Sequence, residues 1–167
     1  MSLSKIRAAT AEDSPSIATV YNHYILHSHS TFEVNPIDSE EMGKRIEKVQ
    51  REYNLPWLVI EVDDQLIGYA YATIWKPRQA YRNTVEVSIY LATKSSGKGL
   101  GNQLYQTLID ELKSRDIHAV LAGISLPNDS SIKFHERLGF QKVGQLKEVG
   151  LKFDRWIDVG YWELIFK

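Results

Sequence analysis

The chain has no cysteine, and this absence removes three kinds of function at once. Disulfide bonds, thiolate metal sites and a cysteine nucleophile are all excluded. Neither sign of charge dominates, since 20 Lys and Arg residues stand against 21 Asp and Glu residues, for a formal net charge of -1. The total charge therefore gives no reason to expect binding to nucleic acid or to an acidic membrane surface.

Long apolar runs are missing as well. The longest, WLVI and AVLAGISL, are much shorter than the roughly 20 residues that a transmembrane helix needs. The N-terminal stretch MSLSKIRAATAEDS lacks the apolar segment of a signal peptide. We therefore expect a soluble, cytoplasmic protein with no membrane partner. Its 167 residues, 43% of them hydrophobic, predict one globular domain over residues 1–167.

Hydrophobic periodicity and turn residues predict eleven elements in the order β-α-α-β-β-β-α-β-α-β-β. The first helix follows Thr10, a predicted N-cap with Asp13 three positions later. A hairpin turn is predicted at 63–65, and the last two strands are predicted near 142–149 and 157–166. This order indicates a mixed α/β protein built around one sheet.

A glycine-rich stretch, ATKSSGKGLG at residues 92–101, joins the fourth predicted strand to the third predicted helix. Bare backbone N–H groups and a helix N-terminus both attract anions, so this stretch predicts a phosphate site. A P-loop would need glycine at 92 and Ser or Thr at 99, and a dinucleotide fingerprint would need glycine at 102. The stretch therefore does not match the P-loop motif, and it matches the dinucleotide fingerprint only weakly. A plain strand-to-helix turn is the alternative.

Two motifs, in this order, resemble those of the GNAT acyl-CoA-dependent N-acetyltransferases. Residues 94–99, KSSGKG, fit the family loop Gln/Arg-x-x-Gly-x-Gly/Ala with lysine in the first place. Residues 128–140, NDSSIKFHERLGF, resemble the family's Asn-x-x-Ala-x-x-x-Tyr-x-Lys-x-Gly-Phe. The second motif matches at Asn128, Gly139 and Phe140, whereas Ser131, His135 and Arg137 replace its Ala, Tyr and Lys.

A narrower resemblance covers essentially the whole chain. The segments TVEVSIYL, WKPRQAY, LPND and DVGYWEL are similar to those of phosphinothricin and methionine sulfoximine acetyltransferases within GNAT. This resemblance implies a GNAT fold, with a central, mixed, mostly antiparallel twisted sheet of seven or so strands flanked by four or so helices. It also implies acetyl-CoA as co-substrate, no metal, and acetylation of the amine of a small amino-acid-like acceptor such as phosphinothricin, methionine sulfoximine or methionine sulfone, a detoxifying reaction. The alternatives are a GNAT enzyme that acts on protein N-termini or lysines, and a catalytically silent acyl-CoA sensor.

The resemblance also implies where acetyl-CoA binds. In the family, the amides of the glycine loop bind the pyrophosphate, and the fourth strand splays from the next one so that its backbone binds pantetheine. Ordinary pairing of the two strands is the alternative. The implied cofactor-binding residues are Ser88, Ile89, Tyr90, Ser96, Gly97, Lys98, Gly99, Leu100, Gly101, Asn128 and Ser131.

Glu86 is the predicted general base. Aliphatic amines are mostly protonated at neutral pH, so an amine that attacks a thioester benefits from a base. Glu86 interrupts an otherwise apolar and hydroxyl-bearing strand, where partial burial would raise the pKa of its carboxyl group. The matching glutamate is the proposed base in the resembled family. A solvent-facing strand glutamate is the alternative.

His135 is a candidate catalytic acid, because many relatives place a tyrosine acid at this position. A thiol has a reference pKa of about 8.5, so protonation of the leaving thiolate helps catalysis without having to dominate it. The alternative is a histidine that only contacts the cofactor or packs in the core. His23 and His27 have i,i+4 spacing, but HYILH lacks the glutamate of a metalloprotease motif, so packing is the expectation there.

The basic and aromatic loop WKPRQAYRN predicts the acceptor site, because a guanidinium can bind the carboxylate of an amino acid with two hydrogen bonds. The loop after the first helix would supply further walls of the same pocket. A solvated basic hairpin is the alternative. The predicted acceptor-binding residues are Phe32, Glu33, Trp75, Lys76, Arg78, Tyr81, Thr84 and Val85.

The closing stretch WIDVGYWELIF carries four aromatic residues in strand-like alternation. Aromatic side chains are enriched at interfaces, and the resembled family is dimeric. We therefore predict a homodimer formed through the C-terminal strands, with residues 152–156 near the acceptor pocket of the second subunit. The aromatic residues are Trp156, Tyr161, Trp162 and Phe166.

Overall fold

The computed structural model describes residues 4–95 and 98–167. Within these residues, seven strands form one sheet in the order β1-β2-β3-β4-β5-β7-β6, and four α-helices pack on it. All neighbouring strands are antiparallel except β4 and β5. The predicted order of elements is confirmed. The strands are β1 (Ser4–Ala8), β2 (Trp57–Val62), β3 (Gln65–Ile74), β4 (Thr84–Leu91), β5 (Ala119–Ser125), β6 (Gln141–Lys152) and β7 (Arg155–Ile165), and the helices are α1 (Ser14–His27), α2 (Ser39–Glu47), α3 (Leu100–Lys113) and α4 (Asp129–Arg137).

The predicted capping pair, Thr10 and Asp13, caps a 3-10 turn over Ala11–Asp13 that leads directly into α1. The backbone N–H of Thr10 donates to Asp13 Oδ2 over 2.7 Å. Arg7 on β1 donates to both oxygens of Asp13 over 2.7 and 2.8 Å, and also to Glu61 on β2. The Arg7 guanidinium therefore lowers the pKa of the Asp13 carboxyl group and ties the helix start to the sheet.

The hairpin between β2 and β3 turns where the sequence predicts it. Asp63 and Asp64 have φ angles of 50° and 59°, the left-handed conformation that aspartate tolerates better than most residues and that a two-residue hairpin turn requires. The predicted second helix consists of α2, which ends at Glu47, and one π-helical turn over Lys48–Glu52.

The helices cover opposite faces of the sheet. On β4, the Tyr90 ring packs against Tyr21 and Tyr24 of α1, at centroid distances of 5.2 and 5.1 Å. Its neighbour Leu91 points the other way, since a Cβ built on Gly101 of α3 would lie 3.0 Å from Leu91 Cδ1. Because side chains alternate along a strand, even-numbered residues of β4 face α1 and odd-numbered residues face α3.

The one parallel pair in the sheet separates soon after it forms. β4 and β5 are in register only from Thr84–Ala119 to Glu86–Leu121, although β4 continues to Leu91 and β5 to Ser125. Beyond Glu86 the two strands diverge and leave a V-shaped opening between them, which confirms the predicted splay.

The last two strands differ from the prediction in their surface. β7 lies between β5 and the edge strand β6, and Trp162 on β7 is 1% exposed in the core, where its Nε1 donates to Glu136 of α4 over 3.1 Å. The prediction that Trp162 belongs to an aromatic surface is therefore wrong. Among the residues in the described ranges, no helix is long and apolar enough to cross a membrane.

Candidate active site

A cleft of about 660 Å³ occupies the opening between β4 and β5 and continues along the starts of α3 and α4. Seven of the predicted cofactor residues line it, a grouping that the splay of the two strands makes possible. They are Ser88, Ile89, Tyr90, Gly99, Gly101, Asn128 and Ser131.

The start of α3 is suited to an anion. Gly99 is the N-cap residue and has a φ of 73° and a ψ of 1°, a left-handed conformation that glycine adopts without strain. No side chain within the described residues caps this helix end, so its first N–H groups can bind a ligand. Lys98 is exposed beside it. The predicted contacts of Ser96 and Gly97 lie outside the described residues.

Leu100 can serve the predicted pyrophosphate site only through its backbone. Its side chain is 9% exposed and belongs to the hydrophobic core, because the first turn of α3 packs directly on the sheet. Only the backbone N–H of Leu100 can serve a bound anion.

Asn128 has the geometry to cap one element and to contact a ligand as well. Its Oδ1 accepts a hydrogen bond from the backbone N–H of Ser131 over 3.2 Å and thereby caps α4. Its side chain also lines the cleft. Because the carbonyl oxygen serves the helix, the Nδ2 group is the part of Asn128 that remains to donate toward pantetheine.

Glu86 lies at the narrow end of the cleft. It forms the last register pair of β4 and β5, with Leu121, and its side chain is half-buried. Burial raises the pKa of the Glu86 carboxyl group, while the positive charge of Lys76 lowers it. A raised pKa brings a carboxylate closer to the basicity that proton abstraction at neutral pH requires. The role of Glu86 as base stays a prediction.

Two tyrosines beside Glu86 are not among the predicted site residues. Tyr71 pairs with Ser88 across β3 and β4 and makes a side-chain hydrogen bond to it. Tyr161 on β7 lies next to Gly123, on the same face as Glu86. The alternation of side chains along β3 could have identified Tyr71. Thr73 pairs with Glu86, and Tyr71, two residues earlier, lies on the same face of the strand.

His135 is buried at 5% exposure, and both of its ring nitrogens have partners. Nδ1 lies 2.8 Å from the carbonyl oxygen of Ser131, to which it donates, and Nε2 lies 2.9 Å from the hydroxyl of Tyr105, which donates to it. Burial lowers the pKa of His135, so the neutral imidazole is favoured. Although His135 lines the cleft, these bonds leave no N–H directed at a ligand and favour the packing interpretation over the acid.

The two predicted residues of the loop after α1 are held in place by different neighbours. The Glu33 carboxylate accepts two hydrogen bonds from Arg45 of α2, over 2.7 and 2.8 Å, and one from the Tyr21 hydroxyl. The Arg45 guanidinium lowers the pKa of Glu33, so this side chain is ionised. Phe32 is 38% exposed and its ring lies over Gly150 of β6, where a Cβ would collide with it.

Some residues of the basic loop between β3 and β4 lie at the site, whereas others are exposed to solvent. The Trp75 ring packs edge-on against Tyr161 at 5.5 Å, and Lys76 lies 5.0 Å from the centre of that indole. Lys76 is the loop cation whose charge acts on Glu86. Arg78 precedes a short 3-10 turn that ends at Tyr81, and both side chains are exposed.

Thr84 and Val85 lie on opposite faces of β4. Thr84 is half-buried on the face of Glu86. Val85 is 1% exposed and belongs to the core on the other face. Strand alternation directs the Val85 side chain away from Glu86, so only the backbone of Val85 could contact an acceptor on that face.

One further contact joins the loop after α1 to the cleft. His29 Nδ1 lies 3.0 Å from Ser125 Oγ at the end of β5, and Ser125 and Ser30 both line the cleft. Nothing in the local sequence pattern indicates this pair, because its two residues are 96 positions apart.

Known proteins resemble this chain over almost its whole length. The family model for the Acetyltransferase (GNAT) domain matches residues 6–160. The phosphinothricin N-acetyltransferase of Streptomyces viridochromogenes is 39% identical over 163 residues, which are 98% of this chain and 88% of that protein. The L-methionine sulfoximine/L-methionine sulfone acetyltransferase of Pseudomonas paraeruginosa is 35% identical over 160 residues, 95% of this chain and 92% of its own.

Solved structures give the same result. A phosphinothricin acetyltransferase from Sinorhizobium meliloti in complex with acetyl-CoA has a TM-score of 0.93 and 33% identity, covering 98% of this chain and 88% of its own. The ribosomal-protein-alanine N-acetyltransferase from Brucella melitensis has a TM-score of 0.94 and 33% identity, covering 97% of this chain and 99% of its own.

Proposed function

The chain belongs to the GNAT acetyltransferase family, and on that premise we propose that it transfers the acetyl group of acetyl-CoA to the amine of a small amino-acid-like acceptor. The acceptor class is that of phosphinothricin, methionine sulfoximine and methionine sulfone, the compounds for which two of its relatives are named. We propose no metal in this reaction.

The position of Glu86 carries this proposal. The carboxylate lies at the last paired residues of β4 and β5, so a thioester that enters the cleft from the glycine loop reaches it at the narrow end. The left-handed Gly99 and the uncapped start of α3, as far as the described residues extend, fit a pyrophosphate at the other end. The backbone edges of the diverging strands fit pantetheine between the two.

The residues on the α1 face of the sheet would form the acceptor pocket. Trp75, Tyr161 and Phe32 offer aromatic walls, and Lys76 offers a positive charge close to Glu86. A small acceptor would place its carboxylate toward that charge and its ammonium toward Glu86, because each group then meets the opposite charge.

The proposed reaction balances without a further reactant. Glu86 takes a proton from the acceptor ammonium, directly or through water, and the neutral nitrogen attacks the thioester carbonyl carbon. The C–N bond forms, the C–S bond breaks, and the sulfur leaves with the electron pair and takes up a proton. A second proton leaves the nitrogen, so the products are the amide, coenzyme A and one released proton.

Release of coenzyme A with a panel of acceptors tests the proposal. We expect wild-type protein and acetyl-CoA to turn over methionine sulfoximine, methionine sulfone or phosphinothricin, and Glu86→Gln to be nearly inactive. Turnover of peptides with a free N-terminus or a lysine, but of no amino acid analogue, would instead support the protein acceptor suggested by the Brucella structure's name. Binding of acetyl-CoA without turnover of any acceptor would identify a silent sensor.

We further propose that the chain forms a homodimer through its C-terminal strands, at β6, the turn that follows it and the start of β7. Six large apolar residues there are at least half exposed, more than isolated surface residues would account for. Burial against a second copy would remove this surface from water. The six residues are Val143, Leu146, Val149, Leu151, Phe153 and Trp156.

We also propose that the reaction detoxifies its acceptor and that the protein is cytoplasmic.

A further inference from the structure

Lys152, the last residue of β6, has a buried ammonium group. The residue is 2% exposed, although nearly all of β6 before it is exposed. Its Nζ donates to the carbonyl oxygen of Ser28 over 2.7 Å and to that of Thr31 over 2.8 Å. Both carbonyls belong to the segment between α1 and α2, which we name the acceptor loop, residues 28–33.

This ammonium is held by neutral partners. Among the described residues no carboxylate forms an ion pair with Lys152, and Glu33 acts on it only at longer range. A buried charge without full hydrogen bonding is costly, so the two carbonyls must stay in place for the ammonium to stay buried. Burial lowers the pKa of Lys152, and Glu33 opposes that shift.

The same strand carries a second contact to the acceptor loop. Phe32 lies over Gly150, two residues before Lys152, where only the absence of a side chain leaves room for the ring. On the other side, Arg45 holds the Glu33 carboxylate. The loop contains no helix or strand of its own, so these attachments determine where Phe32 and Glu33 lie.

We propose that Lys152 is a positioning residue for the acceptor: by holding the carbonyls of Ser28 and Thr31, it fixes the acceptor loop so that Phe32 and Glu33 form one side of the acceptor pocket. Lys152 does not touch the acceptor and acts through the loop. The inference rests on the proposed small-acceptor function. It goes beyond that function in assigning acceptor affinity to a residue of the edge strand.

Loss of Lys152 should therefore weaken binding of the acceptor but not of acetyl-CoA. Lys152 contacts the acceptor loop, whereas the groups that fit acetyl-CoA belong chiefly to β4, α3 and α4. Hydrogen bonds from a charged donor are each worth about a tenfold to hundredfold change in an equilibrium. Lys152→Met should therefore raise KM for the acceptor by about 10- to 100-fold, with a change of less than about twofold in the Kd of acetyl-CoA.

The test compares Lys152→Met, Lys152→Arg and the control Lys147→Met, an exposed lysine on the same strand. KM and kcat for methionine sulfoximine, the Kd of acetyl-CoA from calorimetry and the Tm are measured for each. We expect Lys152→Arg, which keeps the charge and its donors, to recover part of the acceptor affinity, and Lys147→Met to match wild type. An unchanged KM, or a KM and an acetyl-CoA Kd that rise together, would overturn the proposal.

Gly150→Ala provides a second test if Lys152→Met does not fold. The added methyl displaces Phe32 while the backbone at 150 stays in an ordinary strand conformation. We expect the same rise in acceptor KM with little change in acetyl-CoA affinity. If the acceptor loop forms no part of the pocket, this variant will retain the wild-type KM and the proposal fails.

Amide hydrogen exchange separates this inference from the proposed function. Without any acceptor, exchange across residues 28–33 should be faster in Lys152→Met or Lys152→Arg than in wild type, and exchange in β4 should not change. If wild type turns over no amino acid analogue, the proposed function fails whatever the exchange shows. If exchange in the loop does not change, the positioning role of Lys152 fails even though the enzyme is active.

Discussion

A Cβ placed on Gly123 would lie 3.2 Å from Glu86 Oε1 and 3.3 Å from Tyr161 Cε1. Gly123 on β5 and Glu86 on β4 thus face each other across the narrow end of the cleft, and the missing side chain leaves the carboxylate room to turn toward a ligand. A larger residue at 123 would press on the carboxylate and the phenol ring together. The geometry at the proposed base therefore depends on two residues that lie 37 positions apart in the sequence.

Glu86→Gln should remove basicity while keeping the shape of the side chain. Loss of a general base typically lowers the rate about 100- to 10,000-fold, so we expect kcat to fall by that order at pH 7, with acetyl-CoA affinity nearly unchanged. Burial raises the pKa of Glu86. As the solution is made more acidic, wild-type activity should therefore begin to decline at a higher pH than it would with an exposed glutamate as the base.

The defect of Glu86→Gln should shrink as the pH rises, since more of the acceptor amine is then already neutral. The measurement is kcat/KM for methionine sulfoximine between pH 6 and pH 9.5. Parallel profiles for wild type and Glu86→Gln would exclude Glu86 from proton transfer. A purely structural Glu86 would instead lower the Tm and the acetyl-CoA affinity together.

Gly99→Asn should weaken acetyl-CoA binding without unfolding the protein. Asparagine tolerates the left-handed conformation of Gly99, but its side chain would stand at the anion-binding end of the cleft. Loss of one hydrogen bond to a charged group corresponds to about a 10- to 100-fold rise in Kd. Calorimetric titration of acetyl-CoA measures this.

The control for Gly99→Asn is Gly144→Asn on β6. At both glycines a built Cβ meets no atom of the described residues within 4 Å, so neither variant is expected to clash. If Gly99→Asn binds acetyl-CoA like wild type, the pyrophosphate does not lie against the start of α3.

The parts of the fold that follow local rules could be predicted from the sequence. The pair Thr10 and Asp13 makes its own hydrogen bond at the 3-10 turn that leads into the first helix, and Asp63 and Asp64 make the turn they predict. Gly99 and Asn128 line the same cleft because the chain leaves the parallel strands β4 and β5 at the same edge of the sheet.

The parts that depend on tertiary packing could not be predicted. Burial of Trp162 depends on α4 covering one face of β7, and burial of Lys152 depends on loop carbonyls more than 120 positions away. Nothing in their local patterns separates them from exposed neighbours. Val85 differs, because its place next to Glu86 in a strand already predicts that the two side chains face opposite ways.

His135→Gln should change the pH dependence of stability. Burial lowers the pKa of His135 in the folded state, so the unfolded chain binds more protons once the pH falls below about 6.5. The free energy of unfolding should therefore decrease as the pH falls from 7 to 5, by at most about 1.4 kcal/mol per pH unit for this group. His135→Gln should lack that part of the decrease.

Urea unfolding of wild type, His135→Gln and the exposed control His27→Gln at pH 5, 6 and 7 measures this slope. We also expect kcat of His135→Gln to stay within about tenfold of wild type, since loss of a general acid would typically lower it at least 100-fold. A 100-fold loss of kcat at an unchanged Tm would instead support His135 as the catalytic acid. An unchanged slope would show that His135 is not buried neutral.

Trp156→Glu should dissociate the proposed homodimer. Trp156 is 63% exposed next to the β6–β7 turn. Tryptophan is enriched among the interface residues whose loss weakens binding by about 30-fold or more. The carboxylate of the introduced glutamate, buried in the interface, would weaken binding further. Light scattering at micromolar concentration should give the wild type about twice the chain mass of 19.2 kDa and the variant a single chain mass. Leu26→Glu is the control, since Leu26 is 50% exposed on α1 and does not belong to the six exposed residues of the proposed interface. A monomeric wild type, or equal effects of the two variants, would show that the apolar surface of β6 does not hold two copies together.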